Sequence, residues 1–376
     1  LDAGADNPQY GACLVDGPGF GALDVGFLVK QRPVYSGGPP RVQVALGACN
    51  QILGNATHVD PRDGSVDLTY DRPPLRLNAT IHDANGQSFA VSVIANHFLS
   101  LLSVSDNTPD GASTDGERGR VKRRDQAEEL AAYIHTAQAG NPSTRFVVLG
   151  DFNAFQFNDS YGDIIGGLAG TPAPAADQLT PVGDFLSGNL SVLTLEVPAA
   201  DRYSYVESGV AQTLDHVLIN PAMASDTLAR SVHHARINAE FANGRRALAG
   251  DPRRASDHDP VIAYFDIAAF NAAPATVGTL PAQAGIETMP LSIATAAGFS
   301  DADGDLLSYS VNALPSALAI NPATGEISGT PGVGSASGSP YTVEVTATDP
   351  FGVSAMQSFQ LTITPLSDGI FLDSFE

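Results

Sequence analysis

The chain has 376 residues, enough for two domains and a sizeable core. An apolar share of 43% against a charged share of 16% excludes an intrinsically disordered chain, and no apolar run approaches the ~18 residues that a membrane-spanning helix needs. Net charge is −22, and residues 271–376 hold ten acids and no Lys or Arg, so that stretch cannot bind nucleic acid by neutralising its phosphates.

The chain opens at Leu1 without a basic-then-apolar leader, so a secretory leader is expected to have been removed or to lie upstream. Cys13 and Cys49 are too few for a disulfide scaffold or a Cys-based metal site; one bridge in an oxidising compartment and two unpaired core thiols both fit. Residues 23–30 are nearly all apolar and predict a buried strand. Over 75–81 the side chains alternate, with Leu75, Leu77, Ala79 and Ile81 on one face, which predicts a half-buried strand. Residues 88–96 and 145–149 are further strands. Between them Ala127, Leu130, Ala131 and Ile134 fall on one helical face, and Gly140 and Pro142 stop that helix. Residues 213–219 and 260–267 complete the strand set. Segments 101–120 and 156–190 read as long loops facing substrate or moving freely.

Residues 269–282 are small, Pro/Ala-rich and uncharged, and read as a linker between a domain over 1–268 and a module over 283–364. In the module, 341–348 and 358–363 alternate with period two between Asp/Gly/Pro turns, the pattern of an all-β sandwich. Residues 365–376 form a C-terminal tail.

In the first domain, apolar strands run into polar clusters: Asn96-His97, Gly150-Asp151-Phe152-Asn153, Asp215-His216, and Ser256-Asp257-His258-Asp259 before the last strand. Polar residues at the ends of buried strands form a crevice at one edge of a sheet. This inventory suits phosphodiester hydrolysis. A carboxylate site repels an anionic substrate unless a divalent cation intervenes, and Mg2+ or Mn2+ favours oxygen ligands such as those of Asp257, Asp151 and Asn153. Asp151 is placed to activate a water. His97 and His258 offer cationic donors for charge growing on phosphoryl oxygens, and Asp215 beside His258 would keep it charged. His216 follows Asp215 in a strand, points to the opposite face and reads as structural. The cluster Arg118, Arg120, Lys122, Arg123 and Arg124 is either a solvated helix start or, through Arg123 and Arg124, a contact to a phosphate backbone.

These motifs resemble the endonuclease/exonuclease/phosphatase superfamily, and within it bacterial extracellular endonuclease-like proteins. The matching segments are 96–100, 124–126, 150–155, 213–218 and 256–261, in family order across nearly all of 23–267. The resemblance implies an α/β (α+β) four-layer β-sandwich of the deoxyribonuclease-like type and a metal-dependent phosphodiesterase. In it His97 contacts phosphate, Asp151 orients the attacking water, Asn153 positions the scissile phosphate, Asp215 partners the catalytic His258, and Asp257 binds metal. The family opens with a strand carrying an Asn and a second ending in a metal-binding Glu. Neither motif occurs here, so the domain over 1–268 is expected to lack those strands, and residue 99 is Leu where relatives often carry Lys or Arg. Nucleic acid is the first substrate expected. Small or lipid phosphoesters are the second, and an inactive scaffold in a surface-binding protein is the third.

The pattern in 299–305, 314–315, 321–331 and 347–350 resembles bacterial cadherin-like and immunoglobulin-like modules. Such a module implies an immunoglobulin-like sandwich, a secreted or cell-surface location and contact with cell surfaces or carbohydrate. Asp301, Asp303, Asp305 and Asp349 offer oxygen ligands for Ca2+, and read equally as turn formers.

Overall fold

Strand Phe146–Asp151 lies at the centre of a six-stranded sheet and owes that place to Phe146, Val147 and Val148, which are apolar on both faces. In the computed structural model, which describes residues 9–18, 24–102, 104–244 and 253–366, the sheet order is Ser191–Val192, Asp215–Ile219, Phe146–Asp151, Ser88–His97, Leu75–His82, Val42–Gln51. Phe146–Asp151 runs parallel to Ser88–His97, and all other neighbours are antiparallel.

Side chains alternate between two cores. On one face Ile94, Phe146, Val148 and Leu218 meet the helix Asp115–Gly140 through Ala127, Leu130, Ala131 and Ile134, together with the short helix Ile164–Ala169. Leu130 and Ile134 are fully buried, each stabilising the layer by ~2 kcal/mol. On the other face Leu77, Phe89, Val147 and Val217 meet two β-ribbons, Tyr10–Leu14 with Gly26–Lys30 and Thr227–His234 with Val261–Ile267.

Several expectations change. The strand predicted as buried over 23–30 is Gly26–Lys30; Phe27 and Val29 turn inward, but Leu28 is 72% exposed, because a ribbon with one partner covers only one face. The helix begins at Asp115, ahead of the basic cluster read as its start: the Thr114 hydroxyl accepts from the Glu117 N–H and supplies the N-cap. The loop expected over 101–120 therefore ends at its cap. The segment 156–190 contains helix Ile164–Ala169, capped by the Asp163 carboxylate and closed by Gly170 at φ 79°. Among the described residues the helices Asp115–Gly140 and Ile164–Ala169 cover one face of the sheet, and the two ribbons with the short helix Pro221–Ser225 cover the other. Cys13 and Cys49 are bridged, with Cα atoms 6.4 Å apart, tying the first ribbon to the edge strand Val42–Gln51.

The chain divides into two compact units, Leu1–Phe270 and Asn271–Glu376. The second is a sandwich of a four-stranded sheet (Gln283–Ile286, Ser354–Thr364, Tyr341–Thr348, Ser308–Val311) and a three-stranded one (Leu291–Ala294, Glu326–Gly329, Leu318–Ile320). Inward-facing Val343, Val345, Phe359 and Leu361 close on Ile293 and Ile327. Part of the stretch read as a linker belongs to this unit, since Ala275–Thr276 pairs with Phe299–Ser300. Of the tail, residues 367–376 lie outside the described residues.

Candidate active site at one end of the six-stranded sheet

Register brings the polar clusters together. Asp151 stands beside His97 across the parallel pair and beside Asp215 across the antiparallel pair, so three strands deliver three titratable side chains to one rim. His97 Nε2 lies 3.5 Å from Asp151 Oδ2. The chain returns to the same rim at His258, whose Nδ1 donates to Asp215 Oδ2 at 2.6 Å and whose Nε2 lies 3.9 Å from Asp151 Oδ2. Asn153 closes the turn: its N–H donates to Asp151 Oδ1 at 2.8 Å, and its Nδ2 donates to Phe98 O at 3.0 Å and to Asp151 Oδ2 at 3.3 Å. The turn demands its glycine. Gly150 sits at φ 133°, and a Cβ there would stand 2.1 Å from Asn96 O. Asn153 takes φ 48°, a left-handed value that Asn tolerates better than most residues.

The electrostatics separate the two histidines. Burial first, then the charge of Arg72, pushes His97 down to about 4, so at neutral pH it is a neutral donor rather than the cation the sequence predicts. Burial also draws His258 down, but its bond to Asp215 and the charges of Asp215, Asp151 and Asp257 outweigh that and raise it above the ordinary value. Burial, then Asp215, pushes the Asp151 carboxyl up to about 6.

Asp151, Asp215 and His258 offer ligand atoms within 4.8 Å of one another. This differs from the expected metal set of Asp257, Asp151 and Asn153. Asp257 is exposed beside His258, with its Oδ1 3.4 Å from the Ser256 hydroxyl, and the Asn153 amide nitrogen is committed to Phe98 and Asp151.

Most of the basic cluster is not a solvated helix start. Arg120, Lys122 and Arg123 are buried. Arg123 spans two loops of the site, donating to Leu99 O and, at 2.7 Å, to Asn153 O. Arg124 pairs with Asp125 at 2.7 Å. A sequence signal existed for Arg123, which shares the helical stripe of Ala127, Leu130 and Ile134 and so points at the core.

Other supporting residues went unread. The Ser204 hydroxyl accepts from the Leu214 and Asp215 N–H groups, both at 3.1 Å. Asp259 is fully buried and accepts three backbone N–H bonds, from Ile237, Asn238 and Ala239; Asn238 in turn donates to His258 O at 2.7 Å. His216, read from the sequence as structural, is fully buried and bonds Thr194 Oγ1 and Ala154 O, each at 2.8 Å.

In the second unit Asp301, Asp303 and Asp305 gather within 4.8 Å, and Asp349 accepts from Asn271 Nδ2 at 3.0 Å. Burial pushes Asp349 up, but the bonds from Asn271 and from the Val353 and Phe351 N–H groups hold it below its ordinary value. Asp301 Oδ2 and Asn271 Oδ1 are buried without a hydrogen-bond partner.

Residues 273–364 match the family model described as "Putative Ig domain". Among curated proteins no sequence matches this chain. Solved structures with partial similarity include truncated TDP2 from Caenorhabditis elegans, 11% identical with TM-score 0.34 over 68% of this chain and 75% of that one. They include human protocadherin-24 EC1-2, 19% identical with TM-score 0.22 over 25% and 44%. A third is a "putative alpha-galactosidase/melibiase" from Bacteroides fragilis, 18% identical with TM-score 0.21 over 25% of this chain; the chain spans 18% of its length. Residues 273–364 are thus an Ig-like domain, in a chain that is mostly β-sheet with few helices.

Proposed function

We propose that the first unit is a metal-dependent phosphodiester hydrolase acting on nucleic acid. The observation that carries this reading is Asp151 standing between His97 and the Asp215–His258 pair at the end of one sheet. A divalent cation fits the donor set: two carboxylates crowd the rim, and one is already pushed up to about 6, a repulsion that Mg2+ or Mn2+ relieves. Asp151 and Asp215 of that group would hold it, with Asp257 and the amide oxygen of Asn153 as the further oxygen donors the sequence offers. When bound, the ion supplies positive charge to the phosphoryl oxygens.

The chain's own groups do the rest. Ionised Asp151 takes the proton of the attacking water. Cationic His258, held by Asp215, donates from Nε2 to a phosphoryl oxygen as charge grows there, and neutral His97 donates a second hydrogen bond. Small or lipid phosphoesters are the second reading, favoured by the net charge of −22, which repels long polyanions.

The test is turnover of plasmid DNA, RNA and bis(p-nitrophenyl) phosphate with Mg2+ or Mn2+, then with chelator. Wild type should cut at least one, and Asp215→Asn and His258→Ala should each lose about 10²–10⁴-fold. No turnover of any substrate with either metal would leave the third reading, an inactive scaffold.

For the Ig-like domain we read Asp301, Asp303 and Asp305 as a Ca2+ site, on the strength of the buried, unpartnered Asp301 Oδ2 in that cluster. Secretion is the location we propose, supported by the Cys13–Cys49 bridge, which persists in oxidising compartments. Contact with a cell surface or carbohydrate would fall to the Ig-like domain. No helix of the described residues is long and apolar enough to cross a membrane.

A further inference from the structure

We infer that a pocket on the flank of helix Asp115–Gly140 binds a primary alkylammonium through His58, Glu129 and the carboxylates beside them. The inference goes beyond the hydrolase reading and does not depend on it. The pocket measures about 420 Å3, within the range of small-molecule sites. It is lined by His58, which is 3% exposed and has neither ring nitrogen in a hydrogen bond. Glu129 lines the same pocket, and its Oε2 is also buried without a partner. Buried polar atoms in folded proteins are almost all paired, so two such groups on one cavity call for a ligand or an ordered water.

Local chemistry builds the pocket. Strand Thr57–Val59 pairs with Val66–Leu68, and its alternation leaves Thr57 and Val59 exposed while His58 turns inward. On the helix, Asp125, Glu128, Glu129 and Ala132 fall at i, i+3, i+4 and i+7 and form one stripe, next to the apolar stripe of Leu130 and Ile134. Thr69 Oγ1 donates to Glu129 Oε1 at 3.1 Å, leaving Oε2 unpaired. The Gly183 N–H donates to Glu128 Oε1 at 2.7 Å, which brings Phe185, 44% exposed, into the lining.

Charge selects the ligand. Three carboxyl groups line the pocket, and the one Arg among its lining residues, Arg124, is held by Asp125 at 2.7 Å. Burial pushes the Glu129 carboxyl up to about 7, a cost that a cation beside it relieves. Burial, then the charge of Lys122, pulls His58 below its ordinary value, so at neutral pH its ring is uncharged and offers an acceptor nitrogen rather than a repelling cation. Among the described residues, the groups of three ligand atoms within 4.8 Å lie elsewhere, at the sheet rim and in the second unit, so this pocket is not a ready cage for a bare metal ion. A primary ammonium has three N–H donors to share between Glu129 Oε2 and the His58 nitrogen, and its alkyl stem has Ala132 and Phe185 to lie against.

The test is isothermal titration of the whole chain with cadaverine, Nα-acetyl-lysine amide and choline, using wild type, Glu129→Gln and His58→Leu. Wild type should bind at least one of the two amines, and the tighter of them tells a free diamine from a lysine side chain as the source. Choline carries the charge without N–H donors and should bind at least about tenfold more weakly. Glu129→Gln and His58→Leu, folded by circular dichroism, should each weaken binding of the amine at least about tenfold. No binding of either amine by wild type, choline bound as tightly, or an affinity unchanged in either variant overturns the inference. Zn2+ bound through His58 more tightly than either amine would make the pocket a metal site and overturn it as well. Should a variant fail to fold, the other variant and the choline comparison decide.

Discussion

A carboxyl group at about 6 in the fold, against 3.8 for an ordinary Asp, makes Asp151 a source of instability whenever it is ionised. Between those values the folded chain holds a proton that the unfolded chain has released. Stability therefore falls as pH rises from about 4 to 6 and stays lower above. In the absence of divalent cation, Asp151→Asn should raise stability at pH 8 by on the order of 2 kcal/mol while abolishing turnover, as read by urea denaturation beside the hydrolysis assay. Loss of stability in that variant would contradict the burial argument. The wild-type rate should rise through about 6 as Asp151 ionises, with bound Mg2+ moving that limb lower, and should fall at higher pH as His258 loses its proton. At this scale the sequence was legible where a motif names a residue and illegible where burial sets its charge state. His97 was read as a cation because its neighbours in sequence carry no sign of the desolvation that neutralises it. Arg123 was read by its charge alone, although its place on the apolar stripe of the helix already turned it toward the core.

The strand–turn element from Phe146 to Asn153 shows how local chemistry and long-range pairing join. Gly150 allows the chain to pass the Asn96 carbonyl, and Asn153 then folds back on Asp151. Gly150→Ala should destabilise the unit by ~2 kcal/mol or more, seen as a lower denaturation midpoint, because the backbone must shift at a positive φ. Register matters as much as the turn. A slip of one residue between Phe146–Asp151 and Ser88–His97 would swing every side chain to the other face and separate Asp151 from His97. The apolar periodicities located these strands in the sequence to within a residue or two, since alternation and buried runs are local. Helix Asp115–Gly140 was harder: its first turns are polar and carry the basic cluster, so the apolar stripe marked only its second half, and the Thr114 cap was the signal available.

Across the whole molecule, charge and composition divide along the same line as the fold. The 19 bases all precede residue 271, where the second unit begins. On the proposed reading, the hydrolase site of the first unit and the acidic cluster of the second would answer to different cations. Ca2+ at about a hundred times its Kd should raise the stability of the Ig-like domain by roughly 2.7 kcal/mol, followed by calorimetry. That gain should vanish in Asp301→Asn/Asp303→Asn, and a transition indifferent to Ca2+ would return those residues to the role of turn formers. The sequence by itself determined the two-part organisation, most strands of the central sheet, the motif residues and the Ig-like pattern, because composition shifts, apolar periods and turn chemistry are written in short stretches of chain; it missed Tyr10–Leu14, Val42–Gln51 and Thr227–His234. Tertiary structure alone decided that Asp151 stands between His97 and Asp215, that His97 is neutral, and that Cys13 meets Cys49. Each of these depends on residues far apart in sequence sharing one desolvated place, and neither desolvation nor strand register is a property of any single segment.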